Sequence, residues 1–409
     1  MKNRIALVVN TLSGGGAEKT AANLSRRLSR RYDVDIIVND RDHLQYPYRG
    51  RIVSLGMPSD QRRSDPSYQV TLLRRRTRAL RVLKRKRRYK AVISLSEMSN
   101  AANVLSGNRY GKTIISVRNS VRIRKGSSWM YRLFSLILYT WCCAAADRTV
   151  SCSKGIADEL ADQYGLKADK SVVIYNGLDL PLIREKASEK ISSDESKAWA
   201  GRKLIVTAGR LTYQKGQVHL LRAVRLLAEE GIPLHLLILG EGRLRDSLQE
   251  EAERLGLSEM VSFAGFVSNP YKYFAQADAV VIPSLYEGFS NVIIEALSCG
   301  APVISTDHDT GAREILAPET DYRHKARNRI DQAAYGILVP VCKDAGGSGR
   351  EGQELKASAE EILLAEAMRR ILTDTELSSH YRKAALERAE QLDLTSVCSR
   401  WINLIEENR

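Results

Sequence analysis

Two doubly wound α/β domains in tandem are the architecture this sequence predicts, on three observations. The chain has 409 residues, beyond the ~250–300 at which a single core stops growing. Short apolar runs alternate with helical patterns, and the runs are too uniformly apolar to have a wet face, as in a parallel sheet wrapped by helices. The alternation pauses once, over the polar, lysine-rich LPLIREKASEKISSDESKAWAG at 180–201, and then restarts.

In order, the strand candidates of the first half are RIALVVN, followed by a helix around 17–30, then DVDIIVN, AVISLS, TIISVRN, RTVSCS and SVVIYNG. Residues 181–201 read as a linker. The second half offers KLIVTAGRL, PLHLLILGEG, MVSFAGF, DAVVIPSLYEGF, APVISTD and YGILVPV, with helices to the end. Right-handed crossovers make two successive Rossmann-like domains the economical topology.

Hydrophobic content of 44% and charged content of 27% are ordinary, but the net charge of +15 is not. So basic a surface favours phosphate-bearing partners: nucleic acid, anionic lipid or phosphorylated substrates. The six cysteines show no Cys-x-x-Cys pair, which fits a reduced cytoplasmic setting. MKNRIALVVNTLSGGG becomes a strand and turn too soon for a signal peptide, so no export is expected.

Ligands of such sheets sit outside the carboxyl ends of the strands, so each strand-to-loop junction is a candidate for chemistry. The first, NTLSGGGAEKT, carries Gly14, Gly15 and Gly16. Glycines let the backbone approach a ligand, and a helix opening near Ala17 aims N–H groups and a positive dipole end at an anion. A purely structural tight turn is the alternative. A dinucleotide fingerprint would need Gly or Ala where Lys19 stands, and a P-loop would need glycines where Ser13 and Glu18 stand, so a nicotinamide oxidoreductase is set aside. The corresponding junction of the second half, TAGRLTYQKGQ, places Arg210 and Lys215 around a loop ending in Gly216. Two fixed cations at one strand end suit a diphosphate, since a guanidinium forks two oxygens and an ammonium supplies a point charge.

The stretch YEGFSNVIIEALSCGAPVIS sets Glu287 and Glu295 on either side of a Gly288-Phe289-Ser290 turn and a short helix stopped by Gly300 and Pro302. If wholly helical, that interval would rise ~12 Å, about the span from the hexose of a sugar nucleotide to its ribose. One carboxylate at each end would then accept hydrogen bonds from hydroxyls at both ends of one ligand. The N–H groups of Phe289, Ser290 and Asn291 open the helix and would face its phosphates. In the competing reading Glu287 is a helix N-terminal charge and Glu295 a solvated side chain. Glu295 sits among Val292, Ile293, Ile294, Ala296 and Leu297, however, and so must be paired or functional.

Taken in order, SGGGAE, GRLTYQKGQ, LLILGEGRLRDSLQEEAERLGL, VSFAGF, EGFSNVIIEALSCGAPVISTD and YGILVPV together resemble a retaining glycosyltransferase of the GT-B fold, family GT4 (glycosyl transferases group 1). The likeness runs through nearly the whole chain. The RNS and GAREIL variants resemble bacterial enzymes that build polysaccharides or lipid-linked oligosaccharides from UDP-sugars.

The resemblance implies two domains facing across a cleft. Residues 1–180 would bind the acceptor and 202–394 the nucleotide sugar, with a helix over 395–409 packing back on the first domain through Trp401, Ile402 and Ile405. It further implies that Arg210 and Lys215 hold the donor diphosphate and Glu295 the ribose hydroxyls. Glu287, with Gly288, Asn291 and the Phe289–Ser290 backbone, would hold the donor sugar, and Gly15 and Gly16 would approach the donor phosphate and the acceptor. Where family members often place a His near the donor sugar, ISVRNS gives Arg118 and Asn119. Retaining transfer with the leaving phosphate as base requires no metal, so a UDP-sugar co-substrate and no cofactor are expected. The six histidines, His43, His219, His235, His308, His324 and His380, are too scattered for a ligand set. The implied activity moves a hexose or N-acetylhexosamine to a hydroxyl of a growing, polyprenyl-diphosphate-linked bacterial surface glycan; a sugar-nucleotide 2-epimerase of the same plan is the alternative.

LLRRRTRALRVLKRKRRYK carries eleven Lys/Arg from Arg74 to Lys90 and no acid, with Leu73, Leu80 and Leu83 as a narrow apolar stripe. Without an aromatic RNP repeat or a helix-turn-helix, nucleic acid is disfavoured. An anionic membrane surface, met by Arg85, Lys86, Arg87 and Arg88, competes with a solvated helix. The expected location is the inner face of the cytoplasmic membrane, peripherally bound. SSWMYRLFSLILYTWCCAAAD crowds Trp129, Tyr131, Phe134, Tyr139 and Trp141 on a helix interrupted by Arg132, borderline in length for a membrane span. Packing in the core of the first domain is expected, with shallow interfacial contact as the alternative.

Overall fold

The computed structural model describes residues 2–42, 44–58, 66–122, 129–343 and 357–408; His43 and the side chains of Trp129, Tyr131, Arg132 and Phe134 lie outside the described residues. It divides into two compact units, Met1–Asp179 with Leu392–Arg409, and Leu180–Gln391.

Among the described residues the first unit is built on a seven-stranded sheet in the order β3-β2-β1-β4-β5-β6-β7. Its strands are β1 (Arg4–Val8), β2 (Asp33–Val38), β3 (Arg51–Ser54), β4 (Ala91–Ser94), β5 (Lys112–Val117), β6 (Arg148–Ser151) and β7 (Ser171–Val173), and all pairings are parallel. Successive side chains point to opposite faces. Ile5, Leu7 and Val9 therefore pack on Ala21, Leu24 and Leu28 of the helix Gly16–Leu28. Ala6 and Val8 face Leu80 of the helix Pro66–Arg87 and Ala102 of the helix Glu97–Leu105.

The last helix, Leu394–Glu406, belongs to this unit and buries Val397, Trp401, Leu404 and Ile405 in the core of Ile5 and Leu7. It starts where the Asp393 side chain accepts from Thr395 N at 2.7 Å. At its end, buried Lys112 donates to Leu404 O at 2.7 Å and Glu407 O at 3.2 Å, a cation on the electronegative end of a helix. Hydrogen bonds from Lys90 and Tyr32 hold the Glu406 carboxyl below its ordinary range. The chain enters this helix past Gly177, where a Cβ would lie 2.9 Å from Leu394 Cα.

Two of the eleven expected surface cations turn inward. Arg76 donates to Asn10 Oδ1 at 2.7 Å and Ser99 Oγ at 2.9 Å, and Lys84 to Asn103 O and Gly107 O, each at 2.8 Å. Both are 1% exposed, because Arg76 reaches the end of β1 and Lys84 the carboxyl end of the helix Glu97–Leu105 rather than water. On the helix Trp129–Ala145, Tyr139, Cys142 and Cys143 are buried, but Trp141, expected in the core, is exposed together with Leu136 and Ile137.

The second unit repeats the plan in the order β10-β9-β8-β11-β12-β14-β13. Its strands are β8 (Lys203–Ala208), β9 (Leu234–Leu239), β10 (Val261–Gly265), β11 (Ala279–Ile282), β12 (Val303–Thr306), β13 (Asp331–Ala333) and β14 (Gly336–Val339), with β13 alone antiparallel among the described pairings. Leu236 and Ile238 pack on Leu220, Val224 and Leu227 of the helix Gln217–Glu229 and on Leu364, Met368 and Ile371 of the helix Ala359–Thr373. Residues 181–201, expected as a linker, are instead folded into this unit. They contain the helix Leu180–Ala187 and a capping box in which Ser192 and Glu195 bond each other's backbone N–H. Asn269 donates to Lys186 O at 2.8 Å, while Tyr273 and Lys272 donate to Glu195. Glu189, Ser192 and Glu195, polar residues that read as linker, are thus paired.

Candidate functional site

In the second unit the loops leaving the carboxyl ends of the strands are stitched together by backbone. Gly209 N donates to Leu239 O at 2.9 Å, Leu211 N to Glu241 O at 2.8 Å and Gly240 N to Gly265 O at 2.7 Å. A Cβ on Gly240 would stand 2.0 Å from Gly209 O, so side chains are excluded there. After β8 the chain makes a tight turn over Tyr213–Lys215 and enters the helix Gln217–Glu229 through Gly216, at φ 65°. Leu285 N donates to Gln214 O at 2.8 Å and Gln214 Nε2 to Tyr286 O at 2.9 Å, which docks that turn on the loop after β11.

This docking unites two residues singled out from sequence. Lys215 is ion-paired with Glu287, and the same Oε1 accepts from Ser284 Oγ at 2.9 Å. Burial pushes the Glu287 carboxyl up, but the charges of Lys215 and His308 and the bonds from Lys215 and Ser284 outweigh it and hold the group below its ordinary range. Arg210 is exposed, and its backbone carbonyl accepts from Gln217 at 3.2 Å. Gly288 and Phe289 are buried, and Ser290 adopts φ 45°, a left-handed conformation rare outside glycine. A Cβ on Gly311 would meet Phe289 Cα at 2.7 Å, so the turn is clamped between β11 and the loop after β12.

The helix runs Asn291–Ser298. Glu287 therefore lies outside it, and the expected helical rise across the whole Glu287–Glu295 interval does not apply: the Gly288-Phe289-Ser290 turn breaks it. Glu295 is buried, and so is the Ser290 hydroxyl at the helix start.

Sequence reasoning passed over the groups that hold this loop: Ser284, Gln214 and Thr310, whose hydroxyl donates to Glu287 O. It also passed over His308, 1% exposed, neither of whose ring nitrogens has a protein hydrogen-bond partner among the described residues. Burial lowers its pKa to about 4, with the Glu287 carboxylate opposing. Beside it Arg313 donates to Asp307 at 2.6 Å and Asp331 at 2.7 Å, and Lys325 to His308 O at 3.1 Å. The signal available for all of these was position alone, each following the end of a strand.

In the first unit, Gly14 adopts φ 73°, Gly15 caps the helix Gly16–Leu28, and a Cβ on Gly15 would strike the Glu18 carboxylate at 2.1 Å. At the end of β5, Arg118 donates to Ser116 Oγ at 3.2 Å and Thr20 Oγ1 at 3.1 Å, and to Asn176 Oδ1. Burial pulls its pKa below the ordinary guanidinium value. Asn119 is exposed. On the helix Pro66–Arg87, Arg85 and Lys86 are exposed and Arg87 half-buried; exposed Arg88, just beyond, stacks 5.8 Å over the Tyr110 ring. No described helix is long and apolar enough to cross a membrane.

Two tandem sheets of this topology, with glycine-lined loops at their strand ends, define the GT-B architecture, and comparison with known proteins gives the family. The model for glycosyltransferase family 4 matches residues 14–181, and that for glycosyl transferases group 1 matches residues 189–338. An uncharacterised glycosyltransferase of Methanocaldococcus jannaschii is 30% identical over 297 residues, 72% of each chain. The N-acetylgalactosamine-N,N'-diacetylbacillosaminyl-diphospho-undecaprenol 4-α-N-acetylgalactosaminyltransferase of Campylobacter jejuni is 28% identical over 402 residues, 96% of this chain and 97% of the relative. The crystal structure of HepE from Anabaena in complex with UDP and glucose shares the fold, with a TM-score of 0.74 at 18% identity over 99% of both chains. The chain belongs to the GT-B glycosyltransferases of family 4, and it is a glycosyltransferase.

Proposed function

We propose that the protein transfers a hexose or N-acetylhexosamine, with retention, from a UDP-sugar to a hydroxyl of a growing polyprenyl-diphosphate-linked glycan at the inner face of a bacterial cytoplasmic membrane. The observation that carries the donor half is the pairing of partly exposed Lys215 with buried Glu287 at the strand ends of the second unit. Lys215 and Arg210 are assigned the diphosphate, where cations stabilise the charge that develops on the departing nucleotide. Glu287, held ionised, accepts from sugar hydroxyls, with Gly288, Phe289, Ser290 and Asn291 presenting backbone N–H groups, and Glu295 takes the ribose. Gly15 and Gly16 approach the donor phosphate and the acceptor, beside Arg118 and Asn119. The leaving phosphate serves as base. The UDP-bound state of the Anabaena neighbour and the undecaprenyl-linked substrate in the name of the Campylobacter relative support this reading. The 2-epimerase alternative draws no support from the relatives, which are transferases.

Hydrolysis of UDP-glucose, UDP-galactose, UDP-N-acetylglucosamine, UDP-N-acetylgalactosamine and GDP-mannose by purified protein tests the donor. Turnover of at least one UDP-sugar with release of the α-sugar is expected; turnover of GDP-mannose alone, or of the β-sugar, refutes it. For the acceptor side, changing Arg85, Lys86, Arg87 and Arg88 to Ser should release the protein from anionic liposomes and slow transfer to a lipid-linked acceptor while sparing donor hydrolysis. Equal liposome binding by variant and parent at physiological salt refutes the membrane contact.

A further inference from the structure

One stretch holds the excess charge of the chain. Residues 66–146 contain eighteen Lys and Arg and a single acid, Glu97, in a protein whose net charge is +15. They supply the layer of helices Pro66–Arg87, Glu97–Leu105 and Trp129–Ala145 on one face of the first sheet. Leu73 of the first helix and Leu138 of the third pack against the same small core of Ala101, Val104, Ile115, Cys142 and Ala146, so the outer two flank the middle one. Glu97 is already engaged, accepting from Tyr139 Oη at 2.7 Å.

The outward stripes of the two flanking helices differ in kind. On Pro66–Arg87 exposed Arg74, Arg75, Arg78, Arg81 and Arg85 recur every three to four residues, a mainly basic stripe in which Val82 is also exposed. Among the described side chains of Trp129–Ala145 the exposed positions are Leu136, Ile137, Thr140, Trp141, Ala144 and Ala145, which also share one face and are uncharged. Ile137 is 61% exposed, Leu136 43% and Trp141 38%. Large apolar side chains in so open a position, one helix away from a basic stripe in the same layer, form the two-part pattern of a surface that meets anionic lipid: cations for the headgroups, and Leu, Ile and Trp for the acyl boundary. A second copy of the chain is a poorer occupant, because a two-fold contact through this face would set one basic stripe against the other.

We propose that Leu136, Ile137 and Trp141 are an apolar anchor that seats the first unit in the interfacial zone of an anionic bilayer, one helix away from the basic stripe of the helix Pro66–Arg87. The anchor rests on the membrane reading above and adds a salt-resistant component to it. Attraction by the basic stripe is screened within ~8 Å at physiological ionic strength and within ~3 Å near 1 M salt, whereas burial of apolar side chains is not screened.

The test compares the full chain with the variant Ile137→Glu/Trp141→Glu on vesicles of phosphatidylglycerol and phosphatidylcholine, with and without added salt. The parent should keep a bound fraction near 1 M salt, and the variant should partition at least ~10-fold more weakly there while retaining donor hydrolysis. Lipids brominated along the acyl chain should quench the parent's fluorescence, and Trp141→Phe should remove the quenched component. If salt releases parent and variant alike, or no Trp141 emission is quenched, the anchor is wrong and the electrostatic contact stands alone. A parent that binds no anionic vesicle even at low salt refutes the membrane reading, and the anchor falls with it. Conversion of a dimer to a monomer by Ile137→Glu, with vesicle partition unchanged, would give the face to a second copy and overturn the proposal.

Discussion

In the first unit the buried guanidinium of Arg76 rests on neutral acceptors, Asn10 Oδ1 and Ser99 Oγ, with no carboxylate beside it among the described residues. In the second unit the buried guanidinium of Arg313 rests on the carboxylates of Asp307 and Asp331. The same contrast separates Arg118, on Ser, Thr and Asn side chains, from Lys215, on Glu287. The sheets have nearly the same strand order, so topology does not explain it. Cations solvated by amides and hydroxyls keep their field, and burial lowers the Arg76 pKa to about 10, whereas paired cations cancel theirs. The surroundings of Arg76 and Arg118 are left electropositive and those of Arg313 and Lys215 locally neutral.

The largest effect should come from the paired site. Lys215→Ala and Arg210→Ala should each lower kcat/KM by roughly 10²–10³. Near-parent turnover by both, with folding intact, would remove the diphosphate assignment.

Stability should divide the units next. Asp307→Ala leaves Arg313 buried with half its partners, and a loss of about 3–5 kcal/mol in urea unfolding is expected. A loss under ~1 kcal/mol would mean that solvent reaches Arg313 and that the pairing is dispensable.

Acid should act on the second unit. His308 has a folded pKa of about 4 against an ordinary 6.5, so between those values the unfolded chain binds more protons and stability rises with pH. It is lost on acidification from pH 7 toward pH 4, by on the order of 3 kcal/mol when complete. His235, also lowered to about 4 by burial and Arg202, acts in the same direction. His308→Phe should flatten the dependence of the melting temperature over this window. An unchanged slope would show that the buried imidazole is hydrated or paired in solution.

The first unit should respond more gently. Arg76→Met should cost about 1–3 kcal/mol, the penalty for orphaning Asn10 and Ser99 without stranding an opposite charge. A loss equal to that of Asp307→Ala would erase the distinction between the units. The smallest effect is expected for Arg184→Ala, which breaks a pair with Glu390 whose side chains are 56% and 57% exposed. Chemical unfolding should register no more than ~1 kcal/mol.

The fold class was legible because each central strand is a run of side chains buried on both faces. The runs marking β1, β2, β4 to β12 and β14 could hardly be otherwise disposed. Of the four edge strands, β7 and β10 still carry apolar runs, whereas β3, RIVS, and β13, DQA, are short and half-exposed or polar and left no such mark. In the candidate site, glycine turns, strand-end cations and the Glu287 loop were readable because turn chemistry is local. The bond between Lys215 and Glu287 spans 72 residues and depends on how β8 and β11 lie side by side. His308, Asp307 and Arg313 converge for the same reason. A basic run announces charge, but only tertiary neighbours decided that Arg76 and Lys84 turn inward to neutral acceptors while Arg74, Arg75 and Arg78 face water. Sequence alone sets which groups must be buried or paired; the partner is chosen where distant strands meet, because hydrogen bonds and ion pairs require atoms within about 3 Å.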